Sequence, residues 1–215
     1  MRKMSKKKPF ILHDNYYNSR ISQEGLTAYG AGWRDKLAQE RRFEQLAKVI
    51  NNSDGFSIND VGCGLGHLYE YLHALKFKNL TYSGYDISEN MISMARKRLA
   101  ETQDACFTHI NTLSEISEAD YSVASGIFNY KGNASEADWL SYILSTIDDL
   151  NRFSINGFAF NMLTKYSDVE RMVSALYYAD PCFIFDFCKR NYSKNVSLLH
   201  DYQEYDFTMI VRKYQ

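Results

Sequence analysis

Proline and cysteine are scarce in this chain, which has two prolines and four cysteines among 215 residues. The cysteines are Cys63, Cys106, Cys182 and Cys188, and their positions show no metal-ligand spacing. We therefore expect reduced thiols in a cytoplasmic protein, and neither a disulfide framework nor a metal centre. No apolar run is long enough for a transmembrane helix. The formal net charge of −1 gives no electrostatic reason to expect nucleic acid as a partner.

Nothing in the composition marks a domain boundary, and no internal repeat or low-complexity linker is present. A chain of 215 residues can bury one large core, so we predict a single domain over residues 1–215. The basic segment from Arg2 to Lys8 is not followed by the apolar run of a signal peptide. We interpret this segment as a solvated tail, with a phosphate or membrane contact as the alternative.

Hydrophobic periodicity predicts alternating strands and helices. An amphipathic helix is expected over 34–50, with Leu37, Phe43, Leu46, Ala47 and Ile50 on its buried face. Strands are expected at about 56–61, 80–85, 105–110, 121–128, 157–163, 196–200 and 206–212. Further helices are expected over about 65–75, after Ser88, after Ser135, and after a capping box of Ser167 and Glu170. Such alternation predicts a parallel sheet with helices on both faces, and the short last turn implies antiparallel pairing at the end.

The most informative motif is a glycine turn between the first strand and a helix. Residues 58–66 read Ile-Asn-Asp-Val-Gly-Cys-Gly-Leu-Gly, and Asp86 follows twenty residues after the last glycine. Glycine has no Cβ, so backbone at such a turn can closely approach a ligand. An acidic residue at the end of the second strand is placed to accept hydrogen bonds from a ribose.

The spacing of the glycines disfavours a dinucleotide. A dinucleotide fold is expected to have G-x-G-x-x-G, whereas Gly62, Gly64 and Gly66 form G-x-G-x-G. Asp60 would repel a phosphate, and His67 is the nearest basic side chain, mostly neutral at pH 7. A zwitterionic ligand with an amino group, a ribose and an adenine suits the turn better.

At this motif the chain resembles the class I S-adenosylmethionine-dependent methyltransferases, whose first motif is commonly D-V-G-C-G-x-G, matched here by residues 60–66. The resemblance covers roughly residues 34–213. It implies an α/β fold with a doubly wound seven-stranded sheet, mostly parallel with one antiparallel terminal strand, in the order 3-2-1-4-5-7-6. It also implies S-adenosyl-L-methionine as cofactor and S-adenosyl-L-homocysteine as product.

The resemblance assigns cofactor contacts to the ends of the first two strands. Gly62, Cys63, Gly64 and Gly66 would pass under the methionine part of the cofactor, and Asp60 would hold the ammonium group directly or through water. Asp86 would bind both ribose hydroxyls and Ile87 would cover one face of the adenine. Met91 would pack nearby, with simple core packing as the alternative.

Two further cofactor contacts follow the third and fourth strands. Where the family often has an acid for the adenine amino group, this chain has Asn111, Thr112 and Leu113. The amide of Asn111 would bind the adenine, or the backbone of Thr112 and Leu113 would do so. The backbone of Ser125 or Gly126 would bind the ammonium group.

The resemblance also implies a lid, because segments rich in aromatic residues upstream of the motif often fold over the cofactor in this superfamily. An N-terminal arm and helix at about 10–50 would form it, with Tyr17 or Trp33 covering the sulfonium and Gln39 or Arg42 facing the cofactor carboxylate; packing of the aromatic residues between helix and sheet is the alternative. The other borders of the acceptor site are predicted from position. An insertion at about 165–195 would border the acceptor, with Tyr178 and Tyr202 as binding residues. His200 and Asp201 are the candidate general bases; adjacent strand residues point to opposite faces, so one of them is expected to reach the pocket.

The function predicted from the sequence is methyl transfer to a small-molecule or saccharide-like acceptor, by O- or N-methylation. Residues 128–131, Phe-Asn-Tyr-Lys, lack the N-P-P-Y or D-P-P-Y sequence of enzymes that methylate amino groups of DNA, and no nucleic-acid partner or membrane insertion is expected. The alternatives are a non-catalytic S-adenosylmethionine-binding or regulatory protein and, disfavoured by the glycine spacing, a nicotinamide-dependent oxidoreductase. The sequence does not determine the oligomeric state.

Overall fold

The structure is a computed structural model that describes residues 35–51 and 54–213. The predicted basic tail, and Tyr17 and Trp33 of the predicted lid, lie outside the described residues.

Seven strands form one sheet in the order β3-β2-β1-β4-β5-β7-β6. Their bounds are β1 Phe56–Val61, β2 Leu80–Asp86, β3 Ala105–His109, β4 Ala119–Ala124, β5 Ser154–Leu163, β6 Asn195–Leu199 and β7 Asp206–Arg212. The first five strands pair in parallel, whereas β7 is antiparallel to both β5 and β6. The predicted strand order and fold class are confirmed.

Helices cover both faces of this sheet. Their bounds are α1 Lys36–Ala47, α2 His67–Ala74, α3 Glu89–Arg98, α4 Glu136–Arg152 and α5 Pro181–Asn191. The helices α1, α2 and α3 pack on one face, where Leu46, Leu72 and Ile92 share a buried cluster. The helices α4 and α5 pack on the other, where Ile147 and Ile184 share a second cluster. The helices thus cover the two faces of the sheet. Because the first five strands are parallel, their carboxyl ends lie together at one edge of it.

The predicted N-cap at Ser88 is confirmed, and the helix predicted from Ser135 begins with that residue as its N-cap. The side chain of Ser88 accepts the N–H of Met91 at the start of α3, and that of Ser135 accepts the N–H of Asp138 at the start of α4. Each cap supplies an acceptor for one of the backbone donors that the first turn of a helix leaves without an intrahelical partner.

The predicted helix at Ser167 is wrong. Residues Val169–Arg171 form a single 3-10 turn, and the Ser167 hydroxyl donates to the Thr164 carbonyl oxygen at 2.7 Å. The helix of this region begins at Pro181, and the side chain of Asp180 accepts two N–H groups of its first turn. Proline is favoured at the first helical position because its fixed φ suits the helix and its missing N–H needs no partner there.

Most of the predicted face of α1 is confirmed. Phe43 and Leu46 are buried, and Ala47 and Ile50 pack against the same cluster. Leu37 is the exception at 57 % exposure, and the first turns of the helix bury the polar residues Gln39 and Arg42 instead.

Within the part of the chain that the structure describes, no helix is both long and apolar enough to cross a membrane.

Candidate functional site

The glycine turn leaves the carboxyl end of β1 and leads into α2. The backbone N–H groups of Gly62 and Cys63 donate to the Tyr85 carbonyl oxygen at 2.8 and 3.0 Å, so the turn is fixed to the end of β2. Gly62, Gly64 and Gly66 have φ values of 77°, 52° and 77°, in the left-handed region that L side chains rarely adopt. Three left-handed residues at alternate positions account for the G-x-G-x-G spacing.

The three glycines of the turn differ in what surrounds them. A Cβ on Gly62 would lie 2.2 Å from Ile127 Cγ2, and one on Gly66 would lie 2.7 Å from Leu99 Cδ1. A Cβ on Gly64 would meet nothing within 4 Å. Gly62 and Gly66 therefore pack against protein, whereas Gly64 faces open space at the strand ends, where a ligand has room to approach.

Asp86 ends β2 directly beside Gly64. Its Oδ2 accepts the Gly64 N–H and its Oδ1 accepts the Ser88 N–H, both at 2.9 Å. A carboxylate accepts at about four lone-pair positions, so these two bonds are compatible with further contacts to vicinal hydroxyls. The residues present thus fit a ribose next to an exposed glycine backbone, and Ile87 is half-buried beside them.

Asp60 lies under the turn and is 2 % exposed. Its Oδ2 accepts the hydroxyl of Tyr82, which comes from the neighbouring strand β2. Burial raises the pKa of Asp60 from 3.8 to about 7, against the Tyr82 hydrogen bond, which lowers it, and with a smaller upward contribution from Asp86. Burial also raises the pKa of Cys63 well above 9.0, so its thiol stays protonated and packs as part of the core.

This burial gives the free energy of unfolding a defined pH dependence. Between pH 4 and 7 the folded chain holds a proton that the unfolded chain has released, so stability falls as the pH rises. Asp60→Asn is always neutral and still accepts from Tyr82, so the variant should gain about 2–3 kcal/mol relative to the parent between pH 5 and pH 8. Urea unfolding across that range measures the gain, with Glu101→Gln as an exposed control. Parallel curves for the parent and Asp60→Asn would contradict the assignment.

The segment after β3 is held by one glutamate. Glu115 Oε1 accepts the N–H groups of Asn111 and Thr112 at 3.0 and 2.9 Å, in a capping box. Asn111 is exposed and Leu113 is buried. Of the predicted adenine contacts, the Thr112 N–H is thus already engaged by protein, and the side-chain amide of Asn111 stays at the surface.

Met91 is 4 % exposed and shares a small buried cluster with Leu65 of the glycine turn and Met94. The structure thus shows Met91 in the core packing that was the alternative, against the glycine turn, and its contact with the cofactor stays a prediction.

The chain leaves the sheet directly after β4. The last paired residue is Ala124, opposite Phe160 of β5, and Gly126 has a φ of 77°. The Gly126 N–H donates to Asn161 Oδ1 at 2.7 Å, and Asn161 Nδ2 donates to Ser125 Oγ at 3.5 Å. Both predicted ammonium-binding residues are therefore positioned by one fully buried side chain of β5.

The helix α1 joins the glycine turn to β7. Gln39 Nε2 lies 3.4 Å from His67 Nδ1 at the start of α2, and three residues later Arg42 is bound to the carboxylate of Asp206. Burial lowers the pKa of His67 to about 4, so this ring is neutral and accepts or donates without charge. Of the two residues predicted to face the cofactor carboxylate, Gln39 lies nearer the turn and Arg42 faces a protein carboxylate.

Arg42 and Asp206 form a buried ion pair. Arg42 donates to Asp206 Oδ2 through Nε at 3.0 Å and also through Nη2, and it donates to the Ala38 carbonyl at 2.7 Å. Glu204 Oε2 lies 3.4 Å from Arg42 Nη2, and Glu204 Oε1 lies 3.2 Å from Arg41 Nη1. Asp206 Oδ1 is buried without a hydrogen-bond partner in the described part of the chain.

The candidate bases and acceptor-side tyrosines lie at the same edge but farther along it. His200 and Asp201 are exposed and follow β6, which is parallel to β5 because both pair antiparallel with β7. Three strand spacings separate β6 from β4, or about 14 Å. Tyr202 is half-buried with its hydroxyl 3.0 Å from Thr208 Oγ1, and burial raises its pKa. The Tyr178 hydroxyl accepts the Val173 N–H at 2.9 Å.

Sequence reasoning missed the residues that position this site from beneath, namely Tyr82, Glu115, Asn161 and Asp206. Only Glu115 had a readable signal, since Thr112 and Glu115 have the spacing of a capping box. The others are polar residues within strands, where no local pattern reveals which strand end or helix they meet.

Comparisons with known proteins agree with this geometry. A family model described as a methyltransferase domain matches residues 59–148, which span the glycine turn, Asp86 and the Ser125–Gly126 turn. The chain is 49 % identical over 166 residues to Rv1506c of Mycobacterium tuberculosis (strain ATCC 25618 / H37Rv), which is designated a methyltransferase by prediction. The match covers 77 % of this chain and 98 % of that relative.

Solved structures share the fold at low identity. Magnesium protoporphyrin IX methyltransferase from Synechocystis PCC 6803, with bound S-adenosylhomocysteine, has a TM-score of 0.69 and 15 % identity, covering 95 % of this chain and 99 % of that one. The N-methyltransferase NodS from Bradyrhizobium japonicum WM9, in complex with the same compound, has a TM-score of 0.66 and 12 % identity, covering 94 % and 98 %.

The glycine turn, the acid at the end of β2, the strand order and the relative of 49 % identity lead to one assignment. The chain belongs to the class I S-adenosylmethionine-dependent methyltransferase family, as the motif predicted, and S-adenosyl-L-methionine is the cofactor of that family.

Proposed function

We propose that this protein transfers a methyl group from S-adenosyl-L-methionine to a small-molecule or saccharide-like acceptor, by O- or N-methylation. The observation that carries the cofactor side of this proposal is the hydrogen bond from the Gly64 N–H to Asp86 Oδ2. This bond holds the carboxylate that we propose for the ribose directly beside Gly64, where a built Cβ would meet nothing within 4 Å.

In this proposal different residues bind different parts of the cofactor. Asp86 binds the ribose, Ile87 and the segment Asn111, Thr112 and Leu113 border the adenine, and Gly62, Cys63, Gly64 and Gly66 pass under the methionine part. The ammonium group lies between Asp60 and the turn of Ser125 and Gly126. The cofactor supplies a sulfonium leaving group, so the contribution of the protein is chiefly to align the acceptor and exclude water.

Binding of S-adenosylhomocysteine tests the cofactor site. Asp86→Ala removes a hydrogen bond to a charged acceptor and should weaken binding roughly 10–150-fold, or about 1.5–3 kcal/mol. Titration calorimetry measures the change, and Glu89→Ala is the matched control, because it removes an exposed acid three residues away. Equal affinities of parent and Asp86→Ala would remove the ribose assignment, and absence of binding in the parent would remove the proposed function.

On the acceptor side, we propose that the segment at about 10–50 acts as a lid and that the insertion at about 165–195 borders the pocket. Support comes from the first two turns of α1, where Gln39 lies beside His67 after the glycine turn and Arg42 is bound to Asp206 at the start of β7. In this proposal Tyr17 or Trp33 covers the sulfonium, while Tyr178 and Tyr202 contact the acceptor. The hydroxyl of Tyr202 lies in a polar cluster with Thr208.

We further propose His200 or Asp201 as the group that removes a proton from the acceptor. Both side chains are exposed at the carboxyl edge of the sheet, about 14 Å along it from β4. In this proposal the acceptor, or the lid that closes over it, spans the distance between the end of β4 and the base. Once an acceptor is identified, loss of the base should lower turnover about 10²–10⁴-fold in His200→Ala or Asp201→Asn, with cofactor affinity unchanged. Parental turnover in both variants would exclude both residues.

We propose a cytoplasmic location without nucleic-acid partners. The support is that all four cysteines are free thiols, two of them buried, and that the net charge is close to zero.

A further inference from the structure

Just after β4, a backbone N–H donates to a side-chain oxygen of β5, where a continuing sheet would offer it a backbone carbonyl. The strand β5 continues to Leu163, yet β4 stops pairing with it at Ala124, opposite Phe160. Two residues later the Gly126 N–H donates to Asn161 Oδ1 at 2.7 Å and not to the β5 backbone. The side-chain amide therefore ends the ladder and lets the chain bend away from β5, at the crevice where α/β sheets bind ligands.

The hydrogen bond to the Asn161 side chain decides which backbone atoms of Gly126 remain available to a ligand. Its N–H is occupied by Asn161, whereas its carbonyl oxygen accepts the Asn129 N–H at 3.4 Å and has a second lone pair. A carbonyl oxygen attracts an ammonium group and an N–H dipole repels it. The buried amide thus sets the polarity of the turn in favour of a cation.

Asn161 has no exposure to solvent, so it acts on a ligand through Ser125 and Gly126. The Gly126 N–H can only donate, so it fixes the amide with Oδ1 towards Gly126, and Nδ2 then donates to Ser125 Oγ at 3.5 Å. We infer that Asn161 is a positioning residue that sets specificity for the amino-acid end of the cofactor, an inference that rests on the proposed function.

A second side-chain amide, that of Asn129, also joins this segment to β5 and provides a control. Asn129 Oδ1 accepts the Leu163 N–H at 3.1 Å, so Asn129 also ties this segment to β5. It does so without engaging the Gly126 N–H. Asn129→Ala therefore loosens the segment to a similar degree but leaves the polarity of the turn unchanged.

Two ligands that differ only at the amino-acid end provide the readout. S-Adenosylhomocysteine and 5′-methylthioadenosine share the adenosine and the sulfur, but the second lacks the ammonium and carboxylate groups. The ratio of their dissociation constants, measured by calorimetry at pH 8, isolates recognition of that end. A general loss of stability lowers both affinities and leaves the ratio in place.

We expect the parent to prefer S-adenosylhomocysteine. Asn161→Ala should lower that preference roughly tenfold or more, because the released Gly126 turn no longer holds its carbonyl oxygen towards the charged ammonium group. Asn161→Asp keeps an acceptor for Gly126 and adds negative charge near the ammonium, so it should raise the preference. Asn129→Ala should leave the preference unchanged.

Three results would overturn the inference while the proposed function stands. They are an unchanged ratio in a folded Asn161→Ala variant, an unchanged or lowered ratio in Asn161→Asp, and an equal change in Asn129→Ala. If Asn161→Ala does not fold, the direction of change in Asn161→Asp decides the question. A parent protein that binds neither nucleoside would instead remove the proposed function itself.

Discussion

Arg42→Ala is expected to lower the free energy of unfolding by about 3–5 kcal/mol, because it leaves the Asp206 carboxylate buried without its counter-ion. Asp206 is fully buried at the start of β7 and receives two N–H groups of the guanidinium. Urea unfolding monitored by circular dichroism measures the loss. A domain with about 5–15 kcal/mol of stability should survive the change in weakened form.

Arg41→Ala is the matched control for this prediction. Arg41 contacts Glu204 at 3.2 Å, but its side chain is 33 % exposed, so its removal should cost about 1 kcal/mol or less. The double variant Arg42→Met with Asp206→Leu removes both charges together and should be more stable than Arg42→Ala. Equal losses in Arg41→Ala and Arg42→Ala would show that the pair has no special energetic role.

Gly64→Val is expected to weaken S-adenosylhomocysteine binding by roughly 100-fold or more, equivalent to about 2.7 kcal/mol. The valine methyl groups would occupy the open space beside the Gly64 backbone, next to the carboxylate of Asp86. The left-handed φ of 52° adds strain of about 1–3 kcal/mol to the folded state, which the fold should tolerate.

Gly132→Val separates strain from blocked binding. Gly132 has a φ of 55°, close to that of Gly64, and its nearest neighbour to a built Cβ is Tyr130 Cε1 at 3.6 Å. It lies between β4 and α4, outside the glycine turn in sequence, and its N–H donates to the Ala175 carbonyl oxygen at 3.0 Å. Both variants should therefore lose similar stability, and only Gly64→Val should lose binding. Normal binding by a folded Gly64→Val variant would place the cofactor elsewhere.

The sequence was sufficient for the parts of this molecule that local rules determine. Glycine at positions 62, 64 and 66 demands left-handed backbone, and the strand, turn, helix, strand and acid around it have one well-defined geometry. The caps at Ser88 and Ser135 and the antiparallel hairpin of β6 and β7 are likewise set by short-range chemistry. For that reason the alternation of strands and helices and the position of Asp86 beside the turn were predictable, whereas the sheet order was predicted from the resemblance to the methyltransferase family.

Long-range polar contacts were not predictable in the same way. Arg42 was expected near the cofactor carboxylate, but 164 residues later the chain supplies Asp206 as its partner. Asn161 was predicted only as part of an apolar strand, since nothing beside it in sequence shows that Gly126 lies within hydrogen-bond distance. The capping box at Ser167 was misleading because Pro181, fourteen residues on, offers a better helix start together with Asp180.

The position of β7 has a consequence for synthesis on the ribosome. It is the last of the described strands in chain order, yet it lies inside the sheet between β5 and β6. At about 5–20 residues per second, roughly 8–30 s pass between synthesis of Arg42 and of Asp206, 164 positions later. Throughout that interval α1 lacks its anchor, and the edge of β5 that pairs with β7 is unpaired from the synthesis of Leu163 onward, so we expect chaperones to bind the nascent chain. Ribosome-bound chains that end before β7 should accordingly be cleaved by protease at sites that released, complete chains protect.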